Sequence, residues 1–294
     1  RYCKVFKKIC IIGVGLIGGS IARACKENKL AEQVIGTGRR PENLQKAVEL
    51  GVIDGYENSV TAAAKGADLV VICSPVGSFE SIFTELKASW SDACVYTDVG
   101  STKESVINAL ATVFADIPGN FVAAHPIAGS ENNGVEASTV DLFVNKRVII
   151  TPVAATQATA IKTCEMWWQA MGAIVSEMTV QHHDEVFAAT SHLPHVLAYS
   201  LVELLKNKQD EREIFEYAAG GFKDFTRIAS SDPDMWSDIC LANGPQLIKV
   251  IKELEQLNRK ISSLIENNDK QGLLEIFQSA QGARDYFLSL QKSK

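Results

Sequence analysis

Short β-branched runs alternate with amphipathic stretches through the first half of the chain. Runs at Lys8–Ile12, Val34–Gly36, Asp68–Cys73, Cys94–Thr97, Phe121–Ala124 and Arg147–Thr151 read as strands, and helical patterns begin near Leu16, Glu42, Phe79, Thr102 and Thr156. That alternation specifies βαβ units around a parallel sheet, so the expected fold class is α/β with a doubly wound sheet that binds ligands beyond its strand carboxyl ends. One more strand is expected at Ala173–Met178, and from there to the end only helical periodicity is found. A domain boundary is placed there, giving residues 1–178 and 179–294. Between Pro245 and Asn267 the apolar residues Leu247, Val250, Leu254, Leu257, Ile261 and Leu264 recur at alternating spacings of three and four. Such a seam suits either packing inside its own domain or a subunit interface.

Composition narrows the class. The 294 residues are 46% apolar and 22% charged, which fits a globular protein of one or two domains and not a disordered or fibrous one. A net charge of −6 argues against nucleic acid and anionic membranes as partners, so any anionic ligand must meet local cations. The seven cysteines (Cys3, Cys10, Cys25, Cys73, Cys94, Cys164, Cys240) form no CxxC and are read as buried thiols of a reducing, cytoplasmic compartment. The apolar run Ile9–Ala22 is too short and too glycine-rich to span a membrane. A first residue Arg1 leaves open that the chain is part of a longer one.

Gly13-Val14-Gly15-Leu16-Ile17-Gly18 matches GxGxxG between the first strand and the first helix, the setting in which that pattern holds a dinucleotide pyrophosphate. Gly13 permits the tight turn, Gly15 lets backbone approach the pyrophosphate, and Gly18 lets helix and strand pack closely. The second strand then runs into Thr37-Gly38-Arg39-Arg40. An NAD site asks for a carboxylate where Gly38 stands, whereas guanidiniums pair with a 2′-phosphate, so NADP is favoured over NAD. Arg39 and Arg40 as a merely solvated loop is the alternative. Ser74-Pro75 and Gly100, at two later strand ends, are expected to complete the cofactor site.

Five histidines, His125, His182, His183, His192 and His195, raise the question of a metal, but there is no HExxH and no metal is expected. His125 ends a strand where substrate would meet the nicotinamide, and a neutral imidazole there could take a hydroxyl proton as hydride leaves, the alternative being a hydrogen-bonded structural histidine. Ser101 either orients that histidine or the substrate, or simply caps the helix opening Thr102-Lys103-Glu104. In the helical half, Gly220–Arg227 and Ser231–Trp236 are polar breaks between helices, and Arg227 is the obvious carboxylate partner, with a surface salt bridge as the alternative.

Together GVGLIGGS, DVGS, HPIAGSE, SHLPH and GGFKDFTRIASSDPDMW resemble the prephenate/arogenate dehydrogenase family, from about Lys7 to Phe287. The resemblance implies an N-terminal Rossmann-type domain, an all-helical C-terminal substrate-binding and dimerisation domain, a homodimer, and a site in the cleft between domains. It implies oxidative decarboxylation of prephenate to 4-hydroxyphenylpyruvate, or of arogenate to tyrosine, with hydride passing to NAD(P)+. On this chain it makes His125 the residue polarising the 4-hydroxyl, with Ser101 assisting. It makes Arg227 and His195 carboxylate ligands, places Ser130, Glu131 and Asp184 in the surrounding substrate network, and sets Trp236 near the pocket. Gly38, where many members carry aspartate, and Ala219, where a further glycine is common, depart from the pattern. The length leaves no room for an appended regulatory ACT module or chorismate mutase, so tyrosine, if it inhibits, is expected to compete at the active site. The competing readings are a 3-hydroxyacid-type dehydrogenase, whose catalytic lysine only Lys223 could supply, and a non-catalytic nucleotide sensor.

Overall fold

The computed structural model describes residues 5–130 and 132–292. Six strands, β1 (Phe6–Ile12), β2 (Ala31–Thr37), β3 (Gly55–Tyr56), β4 (Leu69–Ile72), β5 (Val95–Asp98) and β6 (Phe121–Val122), form an all-parallel sheet in the order β3-β2-β1-β4-β5-β6. The helices α1 (Leu16–Glu27), α2 (Pro41–Glu49), α3 (Val60–Ala64), α4 (Phe79–Lys87) and α5 (Glu104–Phe114) connect them, and α6 (Ala158–Ala170) comes later in the chain. Side chains alternate between the two faces of a strand, and the core divides accordingly. Ile9 and Ile11 of β1 with Leu69 and Val71 of β4 join one buried cluster, while Cys10, Ile12, Val70 and Ile72 join the other. Both faces of the sheet are thus covered, which is why these strands read as continuous apolar runs. The sequence pattern misses β3 and α3, each too short to set a period.

The run Phe121–Ala124 divides between two sheets. Phe121 and Val122 pair with β5, whereas β7 (Ala124–Pro126) runs antiparallel to β8 (Arg147–Ile150), which pairs in parallel with β9 (Ile174–Glu177). The change of partner is held by two buried charges: Ala124 N donates to Asp98 Oδ1 at 3.0 Å, and Lys103 Nζ donates to Ala124 O at 2.6 Å. Because both backbone polar groups of Ala124 are satisfied by side chains, the strand can leave the parallel sheet without orphaned backbone there. His125 is carried out at the bend.

Beyond β9 the described chain is helical: α7 (Val180–Phe187), a wide π turn (Ala188–His192), α8 (Leu193–Lys206), α9 (Glu211–Glu216), α10 (Gly220–Thr226), a 3₁₀ turn (Arg227–Ser230), α11 (Pro233–Ala242), α12 (Gly244–Glu266) and α13 (Lys270–Lys292). The π turn precedes Pro194, which cannot donate an N–H to a regular helical ladder. Asp232 caps α11, accepting from Met235 N at 3.0 Å.

The chain forms two compact units, one reaching to Gly244 and the other starting at Pro245. The second unit consists of α12 from Pro245 on and α13, and the turn joining them is tight at Gly272, where a Cβ would stand 2.6 Å from Leu264 Cδ2. On its seam Leu247 is buried, Val250, Leu254, Ile261 and Leu264 are partly covered, and Leu257 is exposed, as are Ile265, Leu274 and Phe277. Among the described residues no helix is long and apolar enough to cross a membrane.

Candidate active site

The glycine turn closes the carboxyl end of β1. Gly13 sits at φ +96°, its N–H donates to Thr37 O at 2.8 Å, and a Cβ there would meet Cys73 O at 2.7 Å. A Cβ on Gly18 would collide with the Gly13 carbonyl, so Gly18 serves helix–strand packing. Gly15 is the opposite case, with nothing within 4 Å of an added Cβ. Helix α1 begins at Leu16 with no acidic side chain in its first turn and no side-chain cap. Its first N–H groups and the positive end of its dipole therefore face open space, a ready seat for an anion.

That space is a cavity of about 550 Å³ lined by Gly13, Gly15, Thr37, Arg39, Arg40, Ser74 and Pro75. Gly38 leaves the β2 end bare, with Leu44 Cδ2 the nearest atom to an added Cβ at 3.8 Å. A second cavity of about 680 Å³ shares Arg39, Arg40, Ser74 and Pro75 and reaches Ile17, Gly100 and Ser101. A third, of about 820 Å³, shares Ile17 and Ser101 with it and adds Leu16, His125, Ser130, His195, Arg227 and Trp236. One continuous groove thus runs from the arginines, past the glycine turn, to the histidines.

In the last cavity the His195 ring stacks on Trp236 with centroids 3.4 Å apart and planes 17° from parallel. His195 Nδ1 lies 2.9 Å from Ser191 O, and since a carbonyl only accepts, this nitrogen carries the proton. Burial, and after it the Arg227 charge, push the His195 pKa down. Ser130 accepts from Asn132 N at 2.9 Å. Lys223 is exposed on α10 and does not line this cavity. Glu131 lies outside the described residues, as does Cys3.

Behind His125 stands a network that sequence reasoning largely missed. His125 Nδ1 is 2.9 Å from His183 Nε2, and His183 Nδ1 is 2.7 Å from Asp184 Oδ1. Asp184 does not line the cavity; it is fully buried behind His183. Its two oxygens accept the N–H groups of Lys103 and Glu104, each at 2.8 Å. A carboxylate from α7 therefore caps α5, so the helix starts at Glu104 and Ser101 is left facing the cavity instead of capping. Burial raises the Asp184 pKa, but hydrogen bonds from His183 and the two amides outweigh it and hold the carboxyl below its ordinary value. For His125 burial is the leading cause, with His183, Lys103 and His192 adding to it, and the pKa falls well below 6.5. The ring is neutral.

Lys103 and Asp98 form an ion pair at 2.5 Å with no exposed side-chain surface. Asn243 Nδ2, from the end of α11, donates to Asp184 O at 2.9 Å and lies 3.1 Å from His192 Nδ1. Lys103 and Asn243 were not singled out from sequence, and His183 and His192 only in the question of a metal. The only available signal was the crowding of four histidines next to Asp184, which spacing alone cannot resolve into a path through space.

Two family models cover most of the chain: the prephenate dehydrogenase nucleotide-binding domain matches residues 21–177, and the prephenate dehydrogenase dimerization domain matches residues 179–279. The chain is 37% identical over 285 residues to a cyclohexadienyl dehydrogenase of Zymomonas mobilis, covering 95% of this chain and 96% of that one. The structure superposes with a TM-score of 0.88 on prephenate dehydrogenase from Aquifex aeolicus, solved with hydroxyphenyl propionate and NAD+, at 36% identity over 95% of this chain and 97% of that one. Against Synechocystis arogenate dehydrogenase the TM-score is 0.80, at 25% identity over 95% and 99% of the two chains. With both halves matched, an NAD(P)-binding Rossmann-type sheet in place and a helical dimerization domain following it, this chain belongs to the prephenate dehydrogenase family of oxidoreductases.

Proposed function

We propose that this protein oxidatively decarboxylates prephenate, arogenate or both in the groove between the glycine turn and His125. The observation that carries this reading is a neutral, buried histidine facing the same cavity as Ser101, His195, Arg227 and Trp236, beside Leu16 and Ile17 of the dinucleotide turn. NAD(P)+ when bound supplies the hydride acceptor for the ring carbon that carries the 4-hydroxyl.

The chain's own residues would then do three things. His125 takes the proton of the 4-hydroxyl as that carbon is oxidised, and Ser101 orients the same hydroxyl. Arg227 holds substrate carboxylate, His195 joins it only in its protonated form because the Nδ1 proton of the neutral ring is spent on Ser191 O, Trp236 fixes the His195 ring by stacking, and Ser130 adds a polar contact at the wall. The groove holds the ring against the dinucleotide, so that once C4 is oxidised the ring carboxylate leaves as CO2 and its bonding electrons complete the aromatic ring. His125 returns the proton to the phenolate. Asp184 acts from behind His183 and does not touch substrate.

For the cofactor, NADP is favoured over NAD because Arg39 and Arg40 line the groove at the end of β2, where Gly38 offers no carboxylate. The Aquifex relative was solved with NAD+, so both nucleotides belong in the assay. Residues 1–178 would hold the dinucleotide and 179–294 would complete the substrate site and pair two chains, the second role supported by the exposed apolar side chains of α12 and α13. Tyrosine would compete in the His125 cavity, and the buried free thiols of Cys10, Cys25, Cys94 and Cys164 suit the cytoplasm.

The decisive experiment combines purified protein with prephenate or arogenate, each with NAD+ or NADP+, and follows reduced nicotinamide by absorbance. Turnover lost in His125→Asn with dinucleotide binding retained is the expected result. No turnover in any of the four combinations overturns the reading.

A further inference from the structure

We infer that His183, held by Asp184, is a positioning residue that fixes the tautomer of His125, placing the His125 proton on Nδ1 and leaving Nε2 as the base at the cavity. This rests on the reading of His125 as the proton acceptor. The argument starts at the far end of the chain of contacts. Asp184 is ionised and accepts only, pinned by the amides of Lys103 and Glu104 at the start of α5. Its Oδ1 lies 2.7 Å from His183 Nδ1, so that nitrogen must carry hydrogen. Burial is the leading cause that lowers the His183 pKa, so the ring is neutral and its Nε2 is a lone pair. His125 Nδ1, 2.9 Å away, can then only be the donor. With one proton per neutral ring, Nε2 of His125 is left bare.

The opposite arrangement has a definite cost. A His125 proton on Nε2 would set two lone pairs face to face at 2.9 Å between rings that are 9% and 0% exposed, where water cannot intervene. Packing removes the remaining freedom, since Phe187 lies 4.8 Å from the His125 ring and 4.5 Å from the His183 ring, centroid to centroid. The same carboxylate thus caps the start of α5 and sets the base.

Selective ¹⁵N labelling of histidine, with the His125 signals assigned by their loss in His125→Asn, reads the tautomer directly in the resting protein. The expected spectrum shows His125 protonated at Nδ1 and His183 protonated at Nδ1; a His125 protonated at Nε2 overturns the inference. Steady-state rates give a second readout. His183→Phe, which fills the space without an acceptor, should lower kcat about 10²-fold while KM for both substrates changes little, and His183→Gln, which restores an acceptor, should recover most of that loss. Wild-type kcat in His183→Phe, or equal losses in the two variants, would also overturn it. If the wild-type protein oxidises neither substrate, the functional reading falls while the tautomer measurement still decides this one.

Discussion

Lys103→Met is the most informative single perturbation of this fold. The substitution preserves the apolar stem and removes the ammonium that binds Asp98 at 2.5 Å and Ala124 O at 2.6 Å. Burial pushes the Asp98 pKa up and the Lys103 pKa down, both toward the uncharged forms, so each charge persists chiefly through its partner. Asp98 would retain its bonds from Gly100 N at 2.8 Å and Ala124 N at 3.0 Å, but would be an unpaired carboxylate with no exposed surface. Breaking such a pair from one side costs about 3–5 kcal/mol. The loss should appear as a lower urea midpoint at unchanged slope, measured at fixed protein concentration and followed by circular dichroism and by the buried Trp167 and Trp168. Adding Asp98→Asn should recover about 1 kcal/mol or more, because the stranded charge is then gone and one acceptor remains. The variant should also lose rate, since the lost bond holds the carbonyl of the residue before His125. A loss below about 1 kcal/mol in Lys103→Met, or no recovery in the double variant, would refute the reasoning.

Three further outcomes are expected. Arg39→Ala with Arg40→Ala should raise KM for NADP+ at least about tenfold more than KM for NAD+, reflecting lost charge-assisted bonds to a 2′-phosphate; equal effects would remove the NADP preference. Burial pushes the His192 pKa down to about 4 from 6.5, so between those values the unfolded state binds more protons. Stability from this group is whole above pH 6.5 and is lost as pH falls toward 4, by roughly 3 kcal/mol, and urea midpoints in His192→Gln should flatten over that window without becoming level, because His125 and His183 titrate in the same direction. Gly15→Ala, with nothing within 4 Å, should lose less than about 1 kcal/mol of stability yet weaken dinucleotide binding at least about tenfold, whereas Gly13→Ala should lose both, as calorimetric titration and thermal unfolding would show.

By itself the sequence determined the parallel sheet, the glycine turn and the presence of a helical second half. Those are local matters: β-branched runs, a φ that only glycine takes easily, and a 3.6-residue period act over a few residues each. It also supplied His125, Ser101, Arg227, His195 and Trp236 as residues of one site, and the structure brings all five to one cavity. What tertiary structure alone decided is how that cavity is backed. Asp184 caps a helix 80 residues earlier in the chain, Lys103 and Asp98 hold the bend at Ala124, and the strand run at residues 121–124 divides between two sheets. None of this has a period or a spacing, because a buried charge is satisfied by whichever groups the fold brings near, at any distance in sequence.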